Sequence, residues 1–494
     1  MKRAACAAVL ALGLSLSSPP VARAAGPARP FDFDGNGFRD LVVGAPGLQV
    51  GSVHDTGGVV VLPASAAGVS QREKVVTQSS RGVPGASEPG DLFGASVTSA
   101  DFDRDGYADL AVGQPGEGLG TALAGAGRVT VVYGSPHGLD TTRSTGFSAP
   151  SGVTANSQFG TAVVAGDLNR DGFPDLAVGA PLADIDQTQD TDFHPSGTVT
   201  VLLGGPDGIS RTGAVVLHRQ GFPDFDVSFG QALAVGDLDR DGGDDLVVGS
   251  RGARFVDEGF AGSVSYCPGR AGGPTGCSRL VKSPLYAGLS SLSVGNVSGD
   301  ARPEIVVGVP NRQEDDHGSV KVLGLRAGSP LTVSRELTLT QGSAGVPGAD
   351  EPGDAFGRSV ALADIDRDGY ADLAVGAPGE DQQRGRVTVI HGARGGYRTT
   401  GSFTYSQRSR GIPGAAEAGD GFGTAVTLVD HNRDRRPDLA VGAVGENHFA
   451  GAVTLLPGSG TRFATGRSRT LGLATLGYAH PASASFGAVL GKVH

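Results

Sequence analysis

Seven short stretches of the chain place oxygen-bearing side chains at alternate positions of a nine-residue loop. One of the fullest is Asp364-Ile365-Asp366-Arg367-Asp368-Gly369-Tyr370-Ala371-Asp372, with acids at positions 1, 3, 5 and 9 and glycine at position 6. Carboxylates crowded in this way repel one another unless a cation sits among them. Alternate side chains turned towards one centre are how Asp-rich loops bind calcium through oxygen. Glycine at position 6 permits the positive φ of a sharp turn, and the backbone carbonyl of Tyr370 is the expected ligand at position 7.

Ligand count ranks the seven loops. Asp101, Asp103, Asp105 and Asp109 form a full set, as do Asp237, Asp239, Asp241 and Asp245, and Asp364, Asp366, Asp368 and Asp372. Asp32, Asp34, Asn36 and Asp40 exchange one carboxylate for an amide, and so do Asp167, Asn169, Asp171 and Asp175. These five loops are expected to hold Ca2+. A sixth, weaker site is expected at Asp430, Asn432, Asp434 and Asp438, where Arg435 occupies the glycine position. A left-handed residue with a side chain costs roughly 1–2 kcal/mol. The remaining loop, Asn296, Ser298, Asp300 and Glu304, keeps two carboxylates, carries Ala301 in place of glycine, and is expected to stay empty. Ions in such loops are expected to be structural, with affinities of about 10⁻⁴–10⁻³ M.

The elements that position these loops repeat with them, at intervals of 59 to 70 residues. Each loop runs into an alternating apolar strand such as Asp109-Leu110-Ala111-Val112-Gly113, and a second strand follows, as in Gly385-Arg386-Val387-Thr388-Val389-Ile390. Eight residues ahead of the first ligand stands a Phe-Gly pair: Phe93-Gly94, Phe159-Gly160, Phe229-Gly230, Phe356-Gly357 and Phe422-Gly423, blurred to Ala287-Gly288 in the fifth unit. With the connecting segment, each unit holds four strands, A to D. Four-stranded units of this length used seven times predict an all-β fold, a seven-bladed β-propeller. An open solenoid would need capping repeats. Instead the first loop, at Asp32, lacks a Phe-Gly strand before it, and Phe486-Gly487 near the C-terminus lacks a loop after it. The last segment is therefore expected to supply strand A of blade one and close the ring.

These Phe-Gly pairs, together with the triplets Gly44-Ala45-Pro46, Gly179-Ala180-Pro181 and Gly376-Ala377-Pro378, resemble the FG-GAP repeats of the integrin α-subunit N-terminal β-propeller and its exported bacterial relatives. The resemblance covers nearly the whole chain beyond its leader. It implies calcium in the loops between strands A and B and, as in integrins, ligand binding on the opposite face. Catalytic domains accompany such repeats in phospholipase relatives; the repeats here are expected to leave no room for one.

The N-terminus reads as a secretory signal over residues 1–24: Lys2 and Arg3, an apolar run from Ala4 to Leu16, and cleavage after Ala22-Arg23-Ala24. Residues 25–494 then form a single propeller domain, secreted. No later segment is apolar and long enough to insert in a membrane. The formal charge of -11 makes the chain a poor nucleic-acid binder and a natural host for cations. Glycine, at 82 residues, and proline, at 29, suit short strands and many turns. Cys267 and Cys277 are expected to form a disulfide across one hairpin.

Strand alternation puts the A–B and C–D loops on one face, and the B–C loops and D–A crossings on the other. The second face carries the variable material, including Asp184 to His194, the loop with Glu117, and Glu314 to His317. Its acidic loops read as solvated loops before binding sites. The crossings repeat Gly82-Val83-Pro84-Gly85, Gly345-Val346-Pro347-Gly348 and Gly411-Ile412-Pro413-Gly414, a fixed path between blades. Zinc, nucleophile-elbow and P-loop motifs are missing from the sequence, so no catalytic residue is assigned. The expectation is a non-enzymatic adhesion or macromolecule-binding module whose partner is an extracellular or cell-surface protein or polysaccharide. A calcium-dependent enzyme on polysaccharide is the alternative, and it requires Arg, His, Lys or Tyr converging on the central funnel. Tyr107, Phe173 and Tyr370, all at loop position 7, are read as packing residues.

Overall fold

The computed structural model of this chain describes residues 26–120, 123–150, 154–183, 196–218, 228–255, 259–283, 286, 288–300, 302–311, 317–328, 331–478 and 482–493. The expected leader, the acidic stretches Asp184 to His194 and Glu314 to Asp316, and Ala287, Ala301 and His494 lie outside the described residues.

Seven four-stranded antiparallel sheets form, each built from strands consecutive in sequence except the first. In the first sheet Val489–Leu490 pairs with Leu41–Ala45, placing Leu490 against Val43 and Val489 against Gly44, so the C-terminal segment closes the ring as expected. The closing strand is short, at two residues. Strand B is buried along its whole length in most blades, as in Asp109–Gln114 and Asp372–Ala377, because a blade is covered on both sides by its neighbours. The outermost strands alternate or face water, as in Thr332–Leu339. The hydrophobic core is thus divided into clusters between blades. One joins Val129 and Val131 of blade two to Phe159 and Val178 of blade three.

The Phe-Gly pair is the staple between those layers. Phe93, Phe159, Phe229, Phe356, Phe422 and Phe486 have no exposed surface. The following glycine takes positive φ, from 90° to 100° across the six pairs, and its carbonyl abuts the strand-B glycine of the preceding blade. A Cβ on Gly376 would lie 1.9 Å from the Gly423 carbonyl oxygen, and one on Gly113 2.1 Å from that of Gly160. Only glycine fits at both partners. Blade five departs from the expected Ala287-Gly288: Tyr286, 1% exposed, puts its carbonyl 2.0 Å from where a Cβ on Gly262 would sit, and Leu289 packs beside it.

Two B–C loops contain short turns, Glu380–Gln383 and Glu446–Phe449, whose last three residues are all left-handed (φ 53°, 64° and 63° in one, 53°, 61° and 62° in the other). Sequence gave no sign of them. The Cys267–Cys277 disulfide is present, tying the end of strand C of blade four to the start of its strand D.

Candidate metal centres

Each acidic loop is folded by its own carboxylates before any ion is considered. The position-1 side chain accepts a hydrogen bond from the backbone N–H of position 6: Asp32 from Gly37 (2.9 Å), Asp101 from Gly106 (3.1 Å), Asp167 from Gly172 (3.0 Å), Asp237 from Gly242 (3.1 Å) and Asp364 from Gly369 (3.0 Å). The seventh loop keeps this bond, Arg435 N–H donating to Asp430 at 2.9 Å, with Arg435 forced to φ 65°. The position-9 side chain does a different job. It accepts the N–H at the end of strand C, from Ala64 to Asp40, Gly134 to Asp109, Gly204 to Asp175, Gly269 to Asp245, Gly392 to Asp372 and Gly458 to Asp438, all within 2.7–3.0 Å. One residue thereby ties the A–B loop to the C–D turn.

The cost of this design is electrostatic. Burial first, and the neighbouring loop acids after it, push Asp109 up to about 8, Asp40 and Asp175 to about 7, and Asp245 and Asp438 to about 6. Carboxyl oxygens of Asp101, Asp103 and Asp109 converge within 4.8 Å, as do those of Asp237, Asp239 and Asp245, and of Asp364, Asp366 and Asp368. Asp32 Oδ1, Asp167 Oδ1 and Asp366 Oδ1 are buried with no hydrogen-bond partner. An all-oxygen donor set with orphaned, buried anionic atoms fits a hard divalent cation, which would neutralise the loop and satisfy those oxygens. Positions 1, 3, 5 and 9 would hold it.

Individual loops differ. In blade two Arg143 donates to Asp103 and Asp105 (3.0 and 3.2 Å), and in blade four Arg170 bonds Asp241, while Tyr266 Oη donates to Asp239 at 3.1 Å. Blade six adds a nitrogen: His391 Nδ1 lies 3.1 Å from Asp372 Oδ1 and 3.6 Å from Asp366 Oδ2. Blade five gathers no such cluster among the described residues. Its Glu304 accepts from Val297 N–H at 2.8 Å and its Asn296 from Gly299 N–H at 2.8 Å, a loop held by hydrogen bonds alone.

Sequence reasoning overlooked position 4. It is left-handed in six loops, at Gly35, Arg104, Arg170, Arg240, Arg367 and Arg433 (φ 55–69°), and at Gly299 (φ 73°) in the seventh. It also meets position 7 of the next blade. Arg104 stacks over Phe173 (5.5 Å) and Arg433 over Phe38 (5.7 Å). Where position 7 is tyrosine, position 4 of the preceding loop is glycine: a Cβ on Gly35 would meet Tyr107 at 2.9 Å, and one on Gly299 would meet Tyr370 at 2.2 Å. Tyr107, Phe173 and Tyr370 are therefore packing residues of a belt between loops. The pairing was visible in the sequence as a covariation between units.

On the opposite face, Glu117 is withdrawn from any recognition role. It is 3% exposed, paired to Arg128 at 3.0 Å and bonded by Gln78 at 2.5 Å. The same arrangement recurs as Glu380 with Arg386 (2.8 Å) and Gln341, and as Glu446 with Gln407 (2.5 Å). Each glutamine stands on a D–A crossing and each glutamate on the next B–C loop, so the crossing is clamped to the blade it enters. Val83, Val346 and Ile412 of the crossings are buried, which agrees with a fixed path. The buried Asp354 beside Glu380 is pushed up to about 7, by burial first and by the Glu380 charge second.

An FG-GAP repeat profile matches residues 93–132, 159–202, 229–267 and 356–390, which are the Phe-Gly strand, acidic loop and strands B and C of blades two, three, four and six. The chain is an integrin α-like FG-GAP β-propeller. It is 34% identical to integrin alpha-5 of Xenopus laevis over 225 residues, 44% of this chain and 20% of that protein. Phosphatidylinositol-glycan-specific phospholipase D of Bos taurus is 34% identical over 158 residues, 31% of this chain and 18% of that one. Integrin alpha-PS5 of Drosophila melanogaster is 37% identical over 158 residues, 31% of this chain and 14% of that one. The FG-GAP propeller thus aligns with a fifth or less of each relative's length. Its blades one, five and seven are recognised by their strand order and loop geometry.

Proposed function

We propose that this FG-GAP propeller is an exported binding module, held rigid by Ca2+ in five A–B loops and more weakly in a sixth, that engages an extracellular or cell-surface macromolecule through the face opposite those loops. The observation carrying this reading is the division of labour between faces. Buried, unpartnered carboxylate oxygens sit in the loops of one face, whereas the central channel opens among the B–C loops of the other. A scaffold cross-linked by cations on one side leaves the other free for recognition. The disulfide accords with an oxidising compartment, and no helix among the described residues is long and apolar enough to cross a membrane. The integrin relatives favour adhesion as the role.

Calcium-loaded protein immobilised on a resin should capture a specific partner from exported proteins and cell-wall polysaccharide, and lose it on chelation. Capture that is identical with and without calcium, or absent in both, overturns the reading. The alternative of a calcium-dependent polysaccharide enzyme draws support from Arg251, Arg358 and Lys492 at the channel. Release of unsaturated or shortened products from a polysaccharide panel would favour it.

A further inference from the structure

The A strands enclose a central channel of about 830 Å³, within the size range of small-ligand sites. In a chain of net charge -11, no Asp or Glu is among the described residues that line the channel. Three cations are. Arg251 in strand B of blade four and Arg358 at the entry to strand A of blade six flank one segment: Gly288 N–H donates to the Arg251 carbonyl (3.3 Å) and Ser290 Oγ to the Arg358 carbonyl (3.0 Å). Lys492 reaches across from blade one, donating to Ser291 Oγ at 3.3 Å and the Val360 carbonyl at 3.0 Å. None of the three meets a carboxylate among the described residues. Burial, with Arg251's charge second, lowers Arg358, and burial takes Lys492 down to about 8.

Uncompensated cations gathered in one cavity favour an anion there. The mouth adds an independent feature. Phe449 is 60% exposed, a large apolar side chain left in water, and it is held over the channel at the end of a left-handed turn. Left-handed residues with side chains cost roughly 1–2 kcal/mol each, and such strain collects where a side chain must be aimed. Among the described residues the mouth also carries the uncharged hydrogen-bonding side chains of Gln383, Asn311 and Thr424, set among glycines and prolines. Cations for an oxyanion, amides and a hydroxyl for hydroxyl groups, and an open aromatic face together suit an acidic saccharide; a peptide bound by strand addition or apolar anchors would need a free strand edge or an apolar pocket, and an acidic peptide would use the cations alone.

We infer that the channel mouth is a binding site for a carboxylate-bearing saccharide, its oxyanion taken by Arg251, Arg358 and Lys492 and its ring laid against Phe449. This rests on the binding-module reading and names the ligand class. The test is titration calorimetry of calcium-loaded full-length protein, dialysed free of excess ion, with a glucuronate-containing tetrasaccharide, its carboxyl-reduced counterpart and tetraglutamate. The acidic saccharide should bind, and the reduced one should not. Arg251→Gln with Arg358→Gln, or Lys492→Gln alone, should weaken binding by on the order of tenfold or more, as loss of charge-assisted hydrogen bonds does. Arg358→Lys should retain most of it, and the exposed, distant Arg72→Gln all of it. Thermal unfolding of the double variant should match or exceed that of the parent, since a like-charge contact is removed. Equal binding by the reduced saccharide, or affinity unchanged in both the double variant and Lys492→Gln, overturns the site. Tighter binding of tetraglutamate overturns the saccharide in favour of an acidic peptide. Saccharide binding that passes these tests without calcium-dependent capture of any macromolecule would fault only the wider reading.

Discussion

At position 6 of the acidic loops the backbone demand and the metal chemistry meet in one residue. Arg435 adopts the same left-handed conformation as its glycine counterparts and makes the same hydrogen bond to Asp430, so the strain is borne by the loop and is released in whatever state frees it. Arg435→Gly should therefore stabilise the protein by about 1 kcal/mol and tighten the weakest calcium step, seen in thermal unfolding and calcium titration. The Asp354–Glu380 contact makes a pH prediction. Asp354 is held near 7 in the fold against about 3.9 in an open chain, so the folded state keeps a proton that the unfolded state gives up. That contribution is complete below about pH 4 and is lost as pH rises towards 7. Asp354→Asn, which supplies a permanent donor, should raise stability at pH 8 by on the order of 1–2 kcal/mol. The gain should shrink to nothing near pH 4 in parallel melts. A gain equal at both pH values would mean that the carboxyl proton is not involved.

Between elements, the contacts that matter run from one blade to the next. The belt of position-4 and position-7 residues joins neighbouring loops on the face of the acidic loops, and its pairs are complementary in size. Gly299→Ala should destabilise by roughly 1–3 kcal/mol, through overpacking against the Tyr370 ring and through its φ of 73°. Tyr370→Ala in the same chain should recover the packing share only, so a double-mutant cycle on unfolding midpoints should show coupling. Additive effects would mean that the belt transmits nothing. Much of this level was legible beforehand. Phe-Gly and Gly-Ala-Pro mark the staple because two glycines face each other across six of the seven seams, and a Cβ at either has nowhere to go; at the seam into blade five Gly249 meets Leu289 instead. The clamp of Gln78 on Glu117 was legible in principle, since Gln341 and Glu380 repeat it at the same separation of 39 residues. Glu117 taken alone resembled a solvated loop acid. The left-handed turn ending at Phe449 was announced only by the weak left-handed preference of Asn447 and His448, and nothing local marks Phe449.

As a whole, the molecule is a ring whose stability is shared among seven seams and whose cation face is crowded with carboxylates. Exhaustive chelation should lower the unfolding temperature and open the A–B loops to proteolysis before the strands, because the position-9 acids raised by burial lose their counter-charge. Unaltered melting and proteolysis after chelation would show that the ions are not structural. The opposite effect should accompany occupation of the channel, where a bound oxyanion would relieve the repulsion between Arg251 and Arg358.

Periodicity, loop spacing and turn glycines determined from sequence alone the repeat, the number of blades and the acidic loops, because each unit is written within one stretch of 59 to 70 residues, and the unmatched Phe486-Gly487 pointed to the strand that closes the ring. What only the tertiary structure decided lies across the seams and the axis. Arg251, Arg358 and Lys492 stand 107 and 134 residues apart along the chain, and no local pattern links them. They line one channel because seven A strands converge on one axis. Glu117 is paired, and these three cations meet no carboxylate among the described residues, for the same reason: the partner of a charge is chosen by the ring.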